Sequence, residues 1–411
     1  MLRRSADAES PAELATNRRR IFVMEQHDDT LDLVRRAVAH YRDDSTDQAE
    51  STMEIPVEVY LDADRFHHEV DQIFGHLPLA LALSLELPEP HSYRSLTVMD
   101  TPVLLTRDET GTARAFLNVC RHRGSILCQS ESGTARGFTC PYHGWSYNIG
   151  GELDGMFGAA VFGDVNRSER GLTELRCAER SGFIWVSLDP ASEFDIDDWL
   201  GDFAAELDTL DLENWHLVEQ RDLVGSPGWK VAWDGYLESY HHKYVHPETV
   251  GKYTVSNLLL HDAYGPHQRI VFARKEVADI VDLPEEQWEN LPQYVRQIHS
   301  GFPNLSISGI LGDHAQVSQV YPGPTPDTTV TRQTILRAKA PTNPEEEAAT
   351  ADFSEMTLVA VRDEDYAIGA MIQQALPSGA NTEFIFGRNE IALQHYHRYV
   401  AHFAHDAVLS H

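Results

Sequence analysis

Hydrophobic and polar positions divide the chain into helical ends and a strand-rich middle. Val34, Ala37, Val38 and Tyr41 recur at the spacing of one helix face, which predicts a helix from about Thr30. A polar link, Asp43 to Thr52, follows. A second helix is predicted after Asp62, a suitable N-cap, with Phe66, Val70, Ile73 and Phe74 on its buried side. Residues 1–24 are polar and are expected to fray or lie on the surface. From about Tyr93 the period shortens. The runs Leu96–Met99, Val103–Thr106, Ala115–Val119 and Phe183–Ser187 alternate with Gly, Asp and Ser turns as far as Leu188, the pattern of a small antiparallel β-sandwich.

The acidic, turn-rich stretch Asp189–Asp211 marks a domain boundary. Trp229–Val245 then reads as a helix. Ser256–Leu260, Arg269–Ala273, Leu305–Ser308, Ala315–Tyr321 and Thr329–Ala338 read as strands. After Pro341–Pro344 a helical pattern reaches about Leu376, with a kink expected near Asp363. Strands curled around one long helix would enclose a cavity, so the fold class is α+β. The apolar residues Val245, Leu258, Leu260, Val271, Leu305, Ile307 and Met371 are expected to line that cavity.

Composition adds limits. The 411 residues suffice for two or three domains with a core that needs no cross-links. A formal net charge of −31 disfavours nucleic acid and anionic membranes as partners. The charged N-terminus lacks the apolar core of a secretory signal, and the longest apolar run, Leu77–Leu87, is too short to span a bilayer, so a cytoplasmic setting is expected. Of four cysteines, Cys120 and Cys140 share short arms with histidine, which reads as metal binding in a reducing compartment. Cys128 and Cys177 read as small buried thiols.

The arms are Cys120-x-His122 and Cys140-x-x-His143, each offering one thiolate and one imidazole. Such a set suits structural zinc or an iron–sulfur cluster of mixed ligation. Zinc ribbons more often pair Cys with Cys, whereas a mixed [2Fe–2S] cluster takes both cysteines on one iron and both histidines on the other, as one Cys and one His per loop allow. Glycines at 124 and 144 would let backbone N–H groups approach the sulfides.

A second group lies on Trp229–Pro247. Asp234, Glu238 and His241, spaced i, i+4, i+7, share one face if the helix is continuous. His242 and His246 could then chelate at i, i+4. His241 and His246, about 140° apart, meet only if the helix loosens before Pro247. A distant carboxylate is needed as well, and Asp363, Glu364 and Asp365 are available.

Cys120-x-His122-Arg123-Gly124 followed by Cys140-Pro141-Tyr142-His143-Gly144-Trp145 resembles the motif of the Rieske non-haem iron ring-hydroxylating oxygenases, specifically their oxygenase (α) component, over roughly residues 55 to 411. The resemblance implies a Rieske-type antiparallel β-sandwich domain (55–195) and a helix-grip catalytic domain (196–411) after an N-terminal helical extension (1–54). It implies a [2Fe–2S] cluster on Cys120, His122, Cys140 and His143, and mononuclear Fe(II) on His241, His246 and Asp365, with His242 and Asp363 as the alternatives. Glu238 falls where relatives carry the carboxylate that bridges two subunits, giving a relay of His143, Glu238 and His241, and Asp234 falls beside the iron.

The implied reaction is hydroxylation of a small, mainly apolar aromatic or alicyclic substrate with O2 and electrons from NAD(P)H, with quaternary-amine oxidation as the alternative. The chain lacks a dinucleotide-binding fingerprint, so a separate ferredoxin or flavin-containing reductase must supply the electrons. A homotrimer is implied, and an added β subunit stays open. Residues 111–150 carry Arg114, Arg121, Arg123 and Arg136 against Glu131 alone, a local balance of +3 that would favour docking of an acidic partner.

Overall fold

The computed structural model describes residues 28–311 and 313–405; the polar stretch 1–24 lies outside them. The first helix covers residues 28–43. It buries Leu33, Val34, Ala37 and Val38 against Leu258, Leu260, Val271 and Ala273, while Tyr41 stays at the surface. The helix Ala63–Glu69 starts at Asp62, whose carboxylate accepts the Arg65 N–H at 2.7 Å, and continues in wider turns over Val70–Gly75. Its buried Phe74 meets Trp229 edge-on at 5.1 Å, and its Glu69 accepts a bond from the buried Lys230. Met53–Pro56 pairs antiparallel with Glu383–Phe386. Residues 53–75 are thereby fastened to the C-terminal half of the chain.

Residues 79–186 form three small antiparallel sheets. One has the order Glu174–Leu175, Ala113–Leu117, Thr101–Arg107, Ser92–Val98, Ser132–Thr134; a second joins Cys177–Arg180, Phe183–Val186 and Leu79–Leu83. The third, Gly137–Thr139, Ser146–Asn148 and Leu153–Gly155, carries the second metal arm at the tip of its first hairpin.

The C-terminal half is a seven-stranded antiparallel sheet in the order His216–Gly225, Thr329–Arg337, His314–Pro322, Leu305–Leu311, Val295–Gly301, His267–Arg274, Thr254–Tyr264. A long helix packs against it, as Pro344–Leu358, wider turns over Val359–Asp365, and Tyr366–Ala375. The widened turns stand where the kink is expected. Asn343 caps the start, accepting the Glu346 N–H at 3.0 Å. The helix Trp229–Tyr236 lies beside it, with Trp233 stacked on Tyr396 of the helix Ile391–Phe403 at 4.9 Å. The described residues are α+β, small antiparallel sheets joined to a large antiparallel sheet that packs against a long helix, in keeping with the fold class expected.

One local expectation needs correction, and two strands were not expected. The helix predicted over Trp229–Val245 ends at Tyr236 and resumes as His242–Val245. The Glu238 carboxylate accepts the backbone N–H groups of Tyr240 and His241, supplying in place of a helix turn the bonds that begin the next one. Glu238 is therefore not on a continuous helix with Asp234. Val295–Gly301 is a strand that the hydrophobic pattern does not announce, because it buries Arg296, His299 and Ser300 along with its apolar residues. His216–Gly225 also escapes the pattern, being a half-exposed edge strand with four charged or amide side chains.

Candidate metal centres

The two arms adopt matching loops. Cys120 N–H bonds to Ser125 O at 2.9 Å and Gly124 N–H to Cys120 O at 3.0 Å; Cys140 N–H bonds to Trp145 O at 2.8 Å and Gly144 N–H to Cys140 O at 3.0 Å. Both glycines sit at positive φ, +75° and +66°. A Cβ on Gly124 would meet nothing within 4 Å, so the residue is required for backbone conformation and not for close approach. Cys120 and Cys140 are buried. The rings of His122 and His143 lie 4.6 Å apart, and His122 stacks on Trp145 at 4.9 Å. Burial raises the Cys140 thiol, but backbone N–H groups of Tyr142 and His143, together with Cys120, bring it below the ordinary thiol value. Nδ1 of both histidines is buried without a hydrogen-bond partner. Two neighbouring imidazoles with orphaned nitrogens, on loops that each also bury one thiol, are what a mixed-ligand cluster requires, and the donor set fits.

The second centre joins two distant segments, the stretch 238–249 and the long helix. His241, His246 and Asp365 each offer a ligand atom, and the three atoms lie within 4.8 Å of one another. Nε2 of the two histidines are 3.1 Å apart, and Asp365 Oδ1 is 2.8 Å from His246 Nε2 and 3.4 Å from His241 Nε2. Each ring is held from behind: His241 Nδ1 contacts Glu238, and His246 Nδ1 contacts Glu364 at 2.7 Å, which also accepts from Thr249. With Nδ1–H donated to carboxylates, both Nε2 lone pairs converge on Asp365, an arrangement that needs a cation between them. Burial pushes His241 down, but Asp365 and Glu238 outweigh it and hold the imidazolium up to about 10; burial raises Asp365, but the two histidines bring it to about 2. The donor set fits a mononuclear metal of the two-His-one-carboxylate type.

The helix break decides between the histidines. His242 is turned away, its Nδ1 3.0 Å from Thr254 Oγ1 and its ring edge-on to Phe272 at 4.8 Å. Burial beside His241 and His246 pushes its imidazolium well below the ordinary value. Asp363 is on the surface, paired with Arg362 at 2.6 Å, so the reserve ligand drops out. The widened turns over Val359–Asp365 deliver Glu364 and Asp365 to the site together. Asp234 commits one oxygen to Tyr60 O–H at 2.8 Å and the other to His397 at 2.7 Å. Glu364 as the support of His246, and the Tyr60–Asp234–His397 chain, were not predicted. The Glu364-Asp365 pairing was the one available signal.

Two cavities meet at the triad. An outer one of about 630 Å³ is bordered by Asp234, Glu238, Val245, Ile368, Ile385 and Glu390. An inner one of about 60 Å³ lies between the long helix and the sheet. Of the apolar residues expected to line the cavity, only Val245 borders either. Leu258, Leu260 and Val271 pack on the first helix, Leu305 and Ile307 pack with Phe183 and Trp185, and Met371 is exposed. Strand parity is the reason: successive side chains face opposite ways, so Phe272 and Ser308 face the inner chamber while Val271 and Ile307 face away.

A family model for the ring hydroxylating alpha subunit (catalytic domain) matches residues 212–405, and one for the Rieske [2Fe-2S] domain matches residues 78–160. The chain is 32% identical over 225 residues, 54% of its length and 48% of the relative's, to a glycine betaine monooxygenase oxygenase subunit of Chromohalobacter salexigens. It is 34% identical over 203 residues, 47% and 44% of the two lengths, to the large oxygenase component of a naphthalene 1,2-dioxygenase system of Ralstonia sp. It thus spans about half the length of these curated relatives. A solved quaternary ammonium Rieske monooxygenase bound to L-carnitine superposes with a TM-score of 0.74 at 22% identity, covering 87% of this chain and 96% of that one, a likeness of fold. Among the described residues no helix is long and apolar enough to cross a membrane.

Proposed function

Because the chain belongs to the Rieske ring-hydroxylating oxygenases and carries both domains of their α subunit, we propose that it is the terminal oxygenase of a multicomponent system. It oxidises a small organic molecule with O2 and with electrons from a separate reductase. When bound, a [2Fe–2S] cluster supplies single-electron transfer and a mononuclear iron supplies O2 activation. Cys120 and Cys140 would hold one cluster iron and His122 and His143 the other. His241, His246 and Asp365 would hold the mononuclear iron. Glu238 and Glu364 fix the two rings and leave the remaining side of the triad facing the cavities. The carrying observation is this doubly supported His–His–Asp triad beside a chamber.

Among the described residues, no hydrogen bond, ion pair or ring contact joins the loops 120–124 and 140–145 to the Trp229–Val245 segment. Glu238 instead borders the outer cavity, whose rim exposes Ile368, Ile372 and Ile385. Both features support a homotrimer in which His143 of one copy reaches Glu238 and His241 of the next. Tyr60 and His397 position Asp234 beside that path. At the cluster end, Arg114 is neutralised by Glu174 and Arg123 lies over Tyr142, leaving exposed Arg121 and Arg136 for an acidic reductase. If charge reversal at both leaves reductase kinetics and their salt dependence unchanged, that docking face is wrong.

For the substrate we favour a small N-methylated or quaternary amine. Glycine betaine and quaternary ammonium monooxygenases are among the relatives. Apart from Val245 on the outer cavity and the exposed Met371, the apolar residues expected to suit an arene face away from both cavities, and the inner chamber sets Tyr236, Arg296, Ser308 and Gln316 among Val250, Phe272, Ile298 and Val361. One oxygen atom would enter an N-methyl C–H bond. The other leaves as water after two electrons and two protons, and the carbinolamine then releases formaldehyde and the demethylated amine. The test is O2 uptake with NADH and a surrogate reductase across quaternary amines and arenes. Amine-dependent uptake with formaldehyde is expected; arene diols with no amine-dependent uptake would refute the choice. His246→Ala should end turnover and leave the cluster spectrum intact, and retained turnover would refute the ligand set.

A further inference from the structure

Arg296 is 9% exposed and lies on Val295–Gly301, in register with Phe272, with its side chain on the inner chamber. No hydrogen bond or ion pair to it is found among the described residues, and its Nε is buried without a partner. Burial, with Arg274 nearby, pulls its value down to about 10, and its charge is felt at His242. A guanidinium does not shed its proton in a protein, so the positive charge stays, uncompensated, in the wall of the chamber. The other buried arginines of the sheet are matched: Arg269 meets Asp29, Glu206 and Asp262, and Arg337 meets Asp313 and Glu346. A buried charge left alone is costly, and it persists where a ligand completes it.

The chamber also limits the ligand's size. At 10–15 Å³ for each water position, about 60 Å³ takes about four to six waters. That is room in this chamber for one compact organic ion, and a fused-ring hydrocarbon would have to extend into the outer cavity. Gln316 and Ser308 add hydrogen-bonding groups beside Arg296. Tyr236 and Phe272 add aromatic faces, which attract alkylammonium groups.

We propose that Arg296 anchors a carboxylate of the substrate, so that this enzyme takes a compact amino acid-like zwitterion, with its carboxylate on Arg296 and its N-methyl end toward His241, His246 and Asp365. The fork of the guanidinium matches a carboxylate in two parallel bonds. The inference rests on the oxygenase reading above, because the chamber matters only if the triad holds the iron.

Calorimetric binding to the resting holoenzyme separates the terms with three probes of similar shape. Glycine betaine has both charges, 3,3-dimethylbutyrate keeps only the carboxylate, and choline keeps only the cation. The two carboxylates are expected to bind, and Arg296→Gln should weaken both by about 30-fold or more without weakening choline, whose cation is freed of a like charge. Arg296→Lys should restore part of the loss, since it returns the charge without the fork. Equal affinity for choline and glycine betaine, no binding of either carboxylate, or an Arg296→Gln variant that keeps its affinity would each overturn the anchor. Binding of 3,3-dimethylbutyrate without glycine betaine would keep the anchor and sink the amine reading; glycine betaine bound unchanged by Arg296→Gln would do the reverse. If Arg296→Gln fails to fold, the wild-type series of three probes still decides.

Discussion

Removing the Glu364 carboxylate should loosen the mononuclear metal without touching it directly. The His246 ring is 2% exposed and its Nδ1 meets Glu364 at 2.7 Å, so the bond is buried and charge-assisted. Hydrogen bonds to charged groups contribute about 1.5–3 kcal/mol. Loss of such an outer support from a metal-binding histidine costs roughly 10–100-fold in affinity, which is about 1.4–2.7 kcal/mol at 1.36 kcal/mol per decade. The two routes agree. Glu364→Gln keeps an amide oxygen that can accept, and should lose about tenfold; Glu364→Leu should approach a hundredfold. The assay is anaerobic competition for Co(II) or Fe(II) against a chelator of known affinity, with the cluster's visible spectrum as an internal control. That spectrum should not change, since among the described residues Glu364 bonds to His246 and Thr249 and to neither loop that would carry the cluster. A leucine variant that holds metal within about twofold of wild type, with the spectrum intact, would show that His246 is oriented by something other than Glu364.

Metal uptake should depend on pH with a defined sign. Asp365 and Glu238 raise His241 to about 10 in the metal-free protein, so that proton stabilises the fold fully below the ordinary histidine value and its contribution is lost as pH rises through about 10. The metal must displace it, so affinity should fall as pH drops from about 9 toward 7, by up to about tenfold per unit; a flat profile would contradict the protonated state. Gly124→Ala should cost about 1–2 kcal/mol through its positive φ alone, read as earlier loss of the cluster spectrum on heating, whereas Gly144→Ala should cost more because its Cβ would sit 3.3 Å from Phe157 Cβ. Asp62→Ala removes the bond to the Arg65 N–H and should lower stability by about 1 kcal/mol in denaturant melts, with no change in metal content.

Much of the chemistry was legible in the sequence because it is local. Each cluster arm lies within five residues, so the ligand types, their spacing and the glycine that turns the loop are all written in one short run. The N-caps at Asp62 and the widening near Asp363 are local as well. What the sequence could not decide depends on direction. Whether His241 or His242 turns inward depends on a helix break made by Glu238, whose carboxylate folds back on the next turn. Asp365 rather than Asp363 reaches the site because the helix widens just before it. The chamber lining turned on strand parity. His314–Pro322 is buried at every position, so no alternation of polar and apolar residues tells one face from the other. A step of one residue exchanges Val271 for Phe272 and Ile307 for Ser308, and it also brings Arg296 inward from a strand whose mixed composition hid it. Local chemistry follows from neighbours in the chain, while the facing of side chains in a doubly covered sheet is fixed only when both layers have packed.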